Sequence, residues 1–340
     1  MSVSSKVIVT GGAGYIGSTV CSALSDAGHM PIVWDSLVTG QPLFARNHAF
    51  YQGDIASAEV LDAILRDHPD ANTVIHCAAR IIVPESMSNP HLYYLENVTK
   101  SLALFENLRL RGKDRIVFSS SASVYAQKEN FAVSEDDRRD PKSPYARTKA
   151  MMEDILFDYF HAYATKSIIL RYFNPIGADP EMRSGPFVPN PSHLLGRLVQ
   201  TASGKLPVFG ITGCNWPTRD GSGIRDYIHV WDLAQAHVRA VERFDSVTAR
   251  VPATCPVINL GTGSGVTVKE FVNAFERVLG RAVNKQEDEP RPGDNAGCYT
   301  VTTRARDLLG WSVQKGIEQG IADALKWDAQ FAKRLAQDAH

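Results

Sequence analysis

A chain of 340 residues, 44% hydrophobic and 21% charged, has the composition of a globular enzyme and the length for one large or two medium domains. A formal charge of -1 without a basic block excludes nucleic acid and anionic membrane surfaces as expected partners, and no apolar run approaches the roughly 20 residues of a membrane span. The cysteines (Cys21, Cys77, Cys214, Cys255 and Cys298) are scattered and never form CxxC, and the histidines show no ligand spacing; this excludes structural zinc, leaves no metal expected and points to a reducing, cytoplasmic compartment.

Lys6 and the short apolar run Val7-Ile8-Val9 predict a buried strand rather than a signal-peptide core. Three glycines follow it, Gly11, Gly14 and Gly17, ahead of a helix predicted over 18–27. The first lets the chain turn tightly, the second leaves room for a pyrophosphate at the helix N-terminus, and the third lets helix and strand pack closely. A second strand over 31–34 ends at Asp35, 18 residues past Gly17. A carboxylate there suits the adenosine ribose hydroxyls and disfavours a 2′-phosphate, so NAD is expected rather than NADP.

Alternation continues with a strand at 50–52, a polar turn at Gly53-Asp54-Ile55, a helix over 58–67 and a strand over 73–78. A long amphipathic helix over 90–111 and a strand over 115–119 come next. A charged, proline-punctuated segment over 127–142 reads as an exposed excursion. A helix opening at Ser143 and a strand over 167–173 complete the set. Such alternation predicts an α/β fold with a doubly wound parallel (Rossmann) sheet, its strand C-termini placing Asp54, Ala78, residues 119–123 and Asn174 near the cofactor. Residues 1–174 form the expected nucleotide-binding domain. Residues 175–340 form a smaller α/β cap, with 227–262 expected to fold partly back onto the first domain. In the cap, helices are predicted over 194–203, 230–244, 268–279 and 315–336, and strands at 207–210 and 257–260. His229 and His237 read as helix-face residues.

The chemistry-bearing stretch opens the Ser143 helix. Ser143 is a good N-cap, Pro144 suits the first helical position, and Tyr145 and Lys149 then share a face one turn apart. A free tyrosine, with a pKa of about 10, is ionised to about one part in a thousand at pH 7, and bringing it to neutrality needs about 4 kcal/mol of favourable interaction. An adjacent ammonium can supply part of that, making a base for an alcohol proton. Alone, a YxxxK pair is most often an ordinary surface pair.

The combination of TGGAGYIG from Thr10, GDI from Gly53, SSSASVY from Ser119, PYARTK from Pro144 and RYFNPIGA from Arg171 resembles the extended short-chain dehydrogenase/reductase family. The further tracts DGSGIRDYIHVWDLA from Asp220, NLGTG from Asn259, RPGD from Arg291 and LGW from Leu309 resemble its UDP-galactose 4-epimerase branch. That resemblance implies that Tyr145, helped by Lys149 and Ser121, removes the C4 hydroxyl proton of a UDP-hexose while NAD takes the C4 hydride. The 4-keto sugar then turns about its diphosphate tether and is reduced on the opposite face. It also implies that Gly11, Gly14, Tyr15, Ile16, Gly17 and Asp35 hold NAD together with Asp54, Ile55, Ala78, Asn97 and Lys149. For the substrate it implies Ser121, Ser123, Tyr145 and Asn174, with His193 in the sugar pocket and Phe209 at the uracil. Arg225 and Arg291 are fixed cationic forks suited to a diphosphate, and Asp294 is suited to ribose hydroxyls. Each taken singly is equally an ordinary structural residue.

No Asp or Glu lies between Ser119 and Val124, where sugar-nucleotide dehydratases carry an acidic pair, so epimerisation is favoured over elimination. Departures from the branch are Ile81 for a common lysine, Ser192-His193 for a frequent Asn-Asn pair, and Cys298 for a tyrosine that closes the sugar pocket. A small side chain at Cys298 predicts room for an acetamido group, hence UDP-GlcNAc and UDP-GalNAc as additional substrates. Alternatives left open are a 4-epimerase of UDP-glucuronate or of UDP-GlcNAc only, and a non-catalytic NAD sensor. The sensor has no need of Ser121, Tyr145 and Lys149. Helices 90–111 and 144–165 carry more apolar residues (Leu95, Val98, Leu102, Phe105; Met152, Ile155, Tyr159) than one sheet-facing stripe needs, and family members pair such helices, so a homodimer is expected.

Overall fold

The computed structural model describes residues 4–338 apart from Pro292 and Thr302. Its first half runs β1 (Lys6–Thr10), α1 (Tyr15–Asp26), β2 (Met30–Asp35), α2 (Pro42–Ala45), β3 (Ala49–Gln52), α3 (Ala58–Asp67) and β4 (Thr73–His76). Then come α4 (Val83–Ser88), α5 (Pro90–Tyr94), a π-helical turn (Leu95–Thr99), α6 (Lys100–Leu110), β5 (Arg115–Ser121), β6 (Ala132–Val133), α7 (Pro144–Tyr163) and β7 (Lys166–Tyr172). The second half runs β8 (Asn174–Ile176), α8 (Leu194–Ala202), β9 (Phe209–Thr212), β10 (Ile224–Arg225), β11 (Tyr227–His229), α9 (Val230–Glu242) and α10 (Phe244–Arg250). It ends with β12 (Val257–Leu260), β13 (Val266–Thr267), α11 (Val268–Leu279), β14 (Lys285–Asp288), β15 (Gly297–Thr300) and α12 (Ile317–Asp338).

Seven parallel strands form the central sheet in the order β12-β7-β5-β4-β1-β2-β3. Alternate residues of a strand point to opposite faces, and β1 shows the consequence. Val7 and Val9 pack in one buried cluster with Val20 and Leu24 of α1 and Leu233 and Ala236 of α9. Ile8 packs in another, with Leu104 and Phe105 of α6 and Met152 and Leu156 of α7. Both faces are covered, which is the condition a parallel sheet requires. β12 comes from the second half of the chain yet forms the sheet's edge beside β7, and α9 lies against α1.

The cap contains a four-stranded sheet (β13-β10-β15-β6) and the pairs β11-β8 and β14-β9. Its core gathers Leu198, Phe209, Phe271, Phe275 and Ile321. Helix α11 is bounded by a full capping box between Thr267 and Glu270 and by Gly280 at φ +76°, as the Thr-x-x-Glu spacing and the following glycine dictate.

Three local expectations are corrected. The helix over 90–111 is interrupted by the π-helical turn, which turns Asn97 inward. Segment 127–142 is not simply exposed: its β6 joins the cap sheet beside β15, Val133 is buried, and Glu135 accepts from the Asn259 N–H at 2.9 Å. Of the surplus apolar residues, Phe105 and Met152 are buried and Val98, Ile155 and Tyr159 pack against the same core, leaving Leu95 and Leu102 exposed together with Met151. Among the described residues no helix is long and apolar enough to cross a membrane.

Candidate active site

The glycine turn builds a cradle from backbone alone. Gly11 has φ +69°, and a Cβ there would lie 2.7 Å from the Ala78 nitrogen; one on Gly17 would lie 2.1 Å from the Gly11 oxygen. Gly14 caps α1 without a side chain, so the first-turn N–H groups are left for an anion. The cleft in front of this turn is lined by Gly11, Gly14, Asp35, Asp54, Ala78 and Lys100, with Ile55 beside them. Asp35 is buried at the end of β2, its Oδ2 accepting from Ala13 N–H at 3.0 Å and Oδ1 from Leu37 N–H at 2.8 Å. Burial lifts its carboxyl above the ordinary range, and the two N–H groups oppose that rise. Each oxygen retains a further lone pair for a ribose hydroxyl. A backbone cradle, an uncapped helix start and a carboxylate at the end of β2 fit a dinucleotide.

The side chains of the other residues expected at the cofactor make contacts within the protein. The Tyr15 hydroxyl donates to the Gly177 carbonyl at 2.7 Å, tying the glycine turn to the start of the cap, and Ile16 packs against the core. Asn97 is buried and clamps the backbone of Arg80, accepting from its N–H at 2.7 Å and donating to its carbonyl at 2.9 Å. Its amide also donates to Thr148 Oγ1 at 3.1 Å, so Asn97 joins the cleft wall to α7.

Helix α7 carries the proton-transfer group. Ser143 Oγ accepts from Ala146 N–H at 3.2 Å and Pro144 occupies the first turn, so the helix starts where the sequence signals place it. Tyr145, in the first turn of α7, lies beside Ser121 at the C-terminal end of β5, and the Ser121 hydroxyl favours the ionised phenol. Ser121 Oγ also accepts from the Ser123 hydroxyl at 3.0 Å and the Ser123 N–H at 3.2 Å. Lys149 is buried, donates to the Ser119 carbonyl at 2.7 Å and sits 5.1 Å from the centre of the Phe118 ring. Burial pushes its ammonium down to about 8, against opposing pulls from Cys77 and Glu153. The expected depression of the phenol is corrected: burial lifts Tyr145 above its ordinary value, with the Ser121 hydroxyl opposing. Desolvation of the charged form dominates, and the Lys149 ammonium is turned to the Ser119 carbonyl.

One turn beyond Lys149, Glu153 anchors this helix face. It is fully buried, and its carboxylate accepts from Arg171 Nε at 2.9 Å, Arg171 Nη2 at 2.6 Å, Arg139 Nη1 at 3.2 Å and Ser120 Oγ at 2.5 Å. Arg171 continues to the Tyr125 hydroxyl at 2.8 Å, and that hydroxyl donates to Asn259 Oδ1 at 2.6 Å. An arginine inside the apolar β7 run was the legible signal for this pair, because a buried guanidinium needs a carboxylate.

Cap residues approach from β8, β10 and β15. Asn174 is exposed on β8. Arg225 donates to the carbonyls of Ile224 at 2.8 Å, Ala296 at 2.9 Å and Asn295 at 3.1 Å, and among the described residues no carboxylate lies within ion-pair reach of it. Arg291 pairs with Asp294 at 3.1 Å and donates to the Ser192 carbonyl at 3.1 Å; Pro292 between them lies outside the described residues. His193 caps α8, its Nδ1 accepting from Gly196 N–H at 3.1 Å. The Phe209 side chain is buried in the cap core, which leaves its main chain for contact with a base. Cys298 lies opposite Arg225 and packs against the cluster of Ala122, Ala150 and Phe173. Burial pushes its thiol up to about 11, so it acts as a small neutral side chain. Asp226, not singled out from the sequence, is fully buried and accepts from Thr262 N–H at 2.7 Å, Thr262 Oγ1 at 2.6 Å, Gly263 N–H at 3.1 Å and Thr300 N–H at 3.2 Å. It ties the NLGTG turn to β15.

Residues 7–261 match the model of the NAD dependent epimerase/dehydratase family. The chain is 39% identical over 334 residues to UDP-glucose 4-epimerase of Bacillus subtilis (strain 168), covering 95% of this chain and 96% of that one. Its fold superposes with a TM-score of 0.90, at 35% identity and 97% and 99% coverage, on UDP-glucose 4-epimerase from Stenotrophomonas maltophila with bound NAD and formylated UDP-arabinopyranose. The UDP-Glc/GlcNAc 4-epimerase of Campylobacter jejuni is likewise similar, with a TM-score of 0.80, 31% identity and 96% and 99% coverage. With its glycine cradle, the Ser121–Tyr145 contact and a family match across three quarters of its length, this chain belongs to the NAD dependent epimerase/dehydratase family.

Proposed function

We propose that the protein interconverts UDP-glucose and UDP-galactose by epimerisation at C4. The observation that carries this is the placement of Tyr145, from the first turn of α7, beside Ser121 at the end of β5, where the side chains from Ser119 to Val124 include no carboxylate. A proton carrier is present and an acid–base pair for eliminating water is not. NAD, when bound in the cradle, supplies a reversible hydride acceptor and a positive ring charge.

The chain's own residues do the rest. Tyr145 Oη takes the proton of the C4 hydroxyl and returns it to the oxygen after the sugar has turned, with Ser121 bridging phenol and sugar. Lys149, still protonated below its pKa of about 8, adds positive charge under the site. Arg225 and Arg291 hold the diphosphate as the tether about which the hexose rotates, Arg291 exchanging its Asp294 contact for phosphate. Glu153 and Arg171 fix α7 against β5 and β7, so that proton carrier and sugar meet in one geometry. Incubation of the purified protein with UDP-Gal, UDP-GalNAc and UDP-GlcA separately, followed by analysis for C4 epimers, tests the assignment. Turnover of UDP-Gal that survives unchanged in Tyr145→Phe refutes the mechanism, since loss of such a group lowers the rate by about 10²–10⁴-fold.

A second substrate class, UDP-GlcNAc and UDP-GalNAc, is favoured by the small Cys298 side chain against Ala122 and Ala150. The exposed Leu95, Leu102 and Met151 support a homodimer through the helices over 90–111 and 144–165, and the free cysteines support a cytoplasmic setting. Sedimentation at micromolar concentration checks the dimer: a monomeric mass removes it.

A further inference from the structure

Lys100 opens α6 directly after the π-helical turn, and its side chain reaches the cleft wall opposite the glycine cradle. Its ammonium donates to Asp54 Oδ2 at 2.6 Å and to Glu96 Oε1 at 2.7 Å. Asp54 Oδ1 meanwhile accepts from Ala56 N–H at 2.9 Å. The carboxylate is therefore held at both oxygens although its side chain is 43% exposed. Burial alone would lift the Asp54 carboxyl, but the Lys100 ammonium and the Ala56 N–H together hold it below its ordinary value. An isolated surface pair contributes little. This one joins the loop after β3 to the helix behind β4, across the mouth where Ile55 lines the cleft.

Charge in the cleft gives the contact a further consequence. Asp35, Asp54 and Glu96 all line it, and Lys100 and Arg80 are its cationic side chains. A dinucleotide adds a negatively charged pyrophosphate, so removing Lys100 leaves two adjacent carboxylates unneutralised and free to turn to solvent. Each Asp54 oxygen retains a lone pair after its present contacts. A fixed carboxylate beside an apolar isoleucine suits a flat heterocycle that bears an exocyclic amine.

We propose that Lys100 is a positioning residue for the adenine end of the cofactor: by bridging Asp54 to Glu96 it fixes the Asp54 carboxylate as acceptor for the adenine amine lying against Ile55. This rests on the NAD-dependent function above. The test is the ratio of dissociation constants of the full chain for NAD and for nicotinamide hypoxanthine dinucleotide, measured by competition. The analogue carries a carbonyl in place of the amine. Wild type is expected to prefer NAD by about tenfold or more, the scale of a hydrogen bond to a charged group. Lys100→Met and Lys100→Gln are expected to bring the two ligands within about threefold, and Lys100→Arg to retain the preference. General loosening of the fold weakens both ligands alike and leaves the ratio intact. A ratio unchanged in Lys100→Met or Lys100→Gln, or no preference in wild type, overturns the proposal. The ratio needs no turnover, so it is distinguishable from a failure of the UDP-sugar panel.

Discussion

Removing the carboxylate of Glu153 while keeping its bulk, as in Glu153→Leu, isolates the anchor beneath the proton-transfer helix. Arg171 is 3% exposed and Glu153 0%, so the substitution leaves a guanidinium buried with both of its carboxylate contacts gone, and only the Tyr125 hydroxyl and the Glu135 carbonyl still accepting from it. Breaking one side of such a pair costs about 3–5 kcal/mol, whereas replacing both sides by apolar residues is often close to neutral. For 340 residues an unfolding entropy of about 2.1 cal/mol/K per residue totals about 0.7 kcal/mol/K, so the single variant should lose about 4–7 °C in Tm. Glu153→Leu with Arg171→Met should recover more than half of that loss. Thermal unfolding at one fixed NAD concentration reads both, since bound ligand would otherwise shift the midpoint. Because Lys149 and Tyr145 lie one and two turns before Glu153 on the same helix, kcat should fall more than KM rises in the single variant. A cost below about 1 kcal/mol, or a double variant that loses the sum of the two singles, refutes the anchor.

Lys149→Met is expected to abolish turnover yet stabilise the protein at pH 7. The lysine falls from about 10.4 unfolded to about 8 folded; its burial penalty is thus fully present below pH 8 and fades as pH rises toward 10.4. That penalty is about 3 kcal/mol. It is offset by loss of the Ser119 hydrogen bond worth about 1 kcal/mol, which leaves a net gain of about 1–2 kcal/mol. Urea unfolding at pH 7 and pH 10 checks it, and a difference that does not shrink at the higher pH contradicts it. Cys298→Tyr should abolish turnover of UDP-GalNAc and spare UDP-Gal, measured as separate kcat/KM values; equal loss of both removes the pocket-size explanation. Gly17→Ala should destroy NAD retention, because its Cβ would sit 2.1 Å from the Gly11 oxygen; retention of bound NAD through gel filtration at the wild-type level contradicts the cradle.

What was legible in the sequence was whatever acts over a few residues. The glycine turn, the Ser143 cap and the Tyr145–Lys149 spacing are local devices, and the central sheet follows from strands and helices that alternate with fully apolar strand runs. The short cap strands β6 and β15 carry no such pattern. At two and four residues they are strands only through ladders with partners far apart in the chain, β6 on β15 and β15 on both β6 and β10. Clamp residues were hidden for the same reason. The hold of Asn97 on the Arg80 backbone depends on the π-helical turn, and the four donors that converge on Asp226 come from β15 and the NLGTG turn.

Electrostatics was the least legible part, and Tyr145 shows why. Spacing put an ammonium on the same helix face as the phenol, but the sign of the net shift depends on whether desolvation or charge prevails. Desolvation penalises the phenolate, while the ammonium is directed at the Ser119 carbonyl. A helix offset of four residues cannot specify where that Nζ points, because β5 decides it. With its phenol raised by desolvation, Tyr145 is expected to become a competent base when positive charge enters the cleft beside it. In that respect the raised phenol is useful: proton removal is tied to the presence of the hydride acceptor, and the site has little tendency to ionise without it.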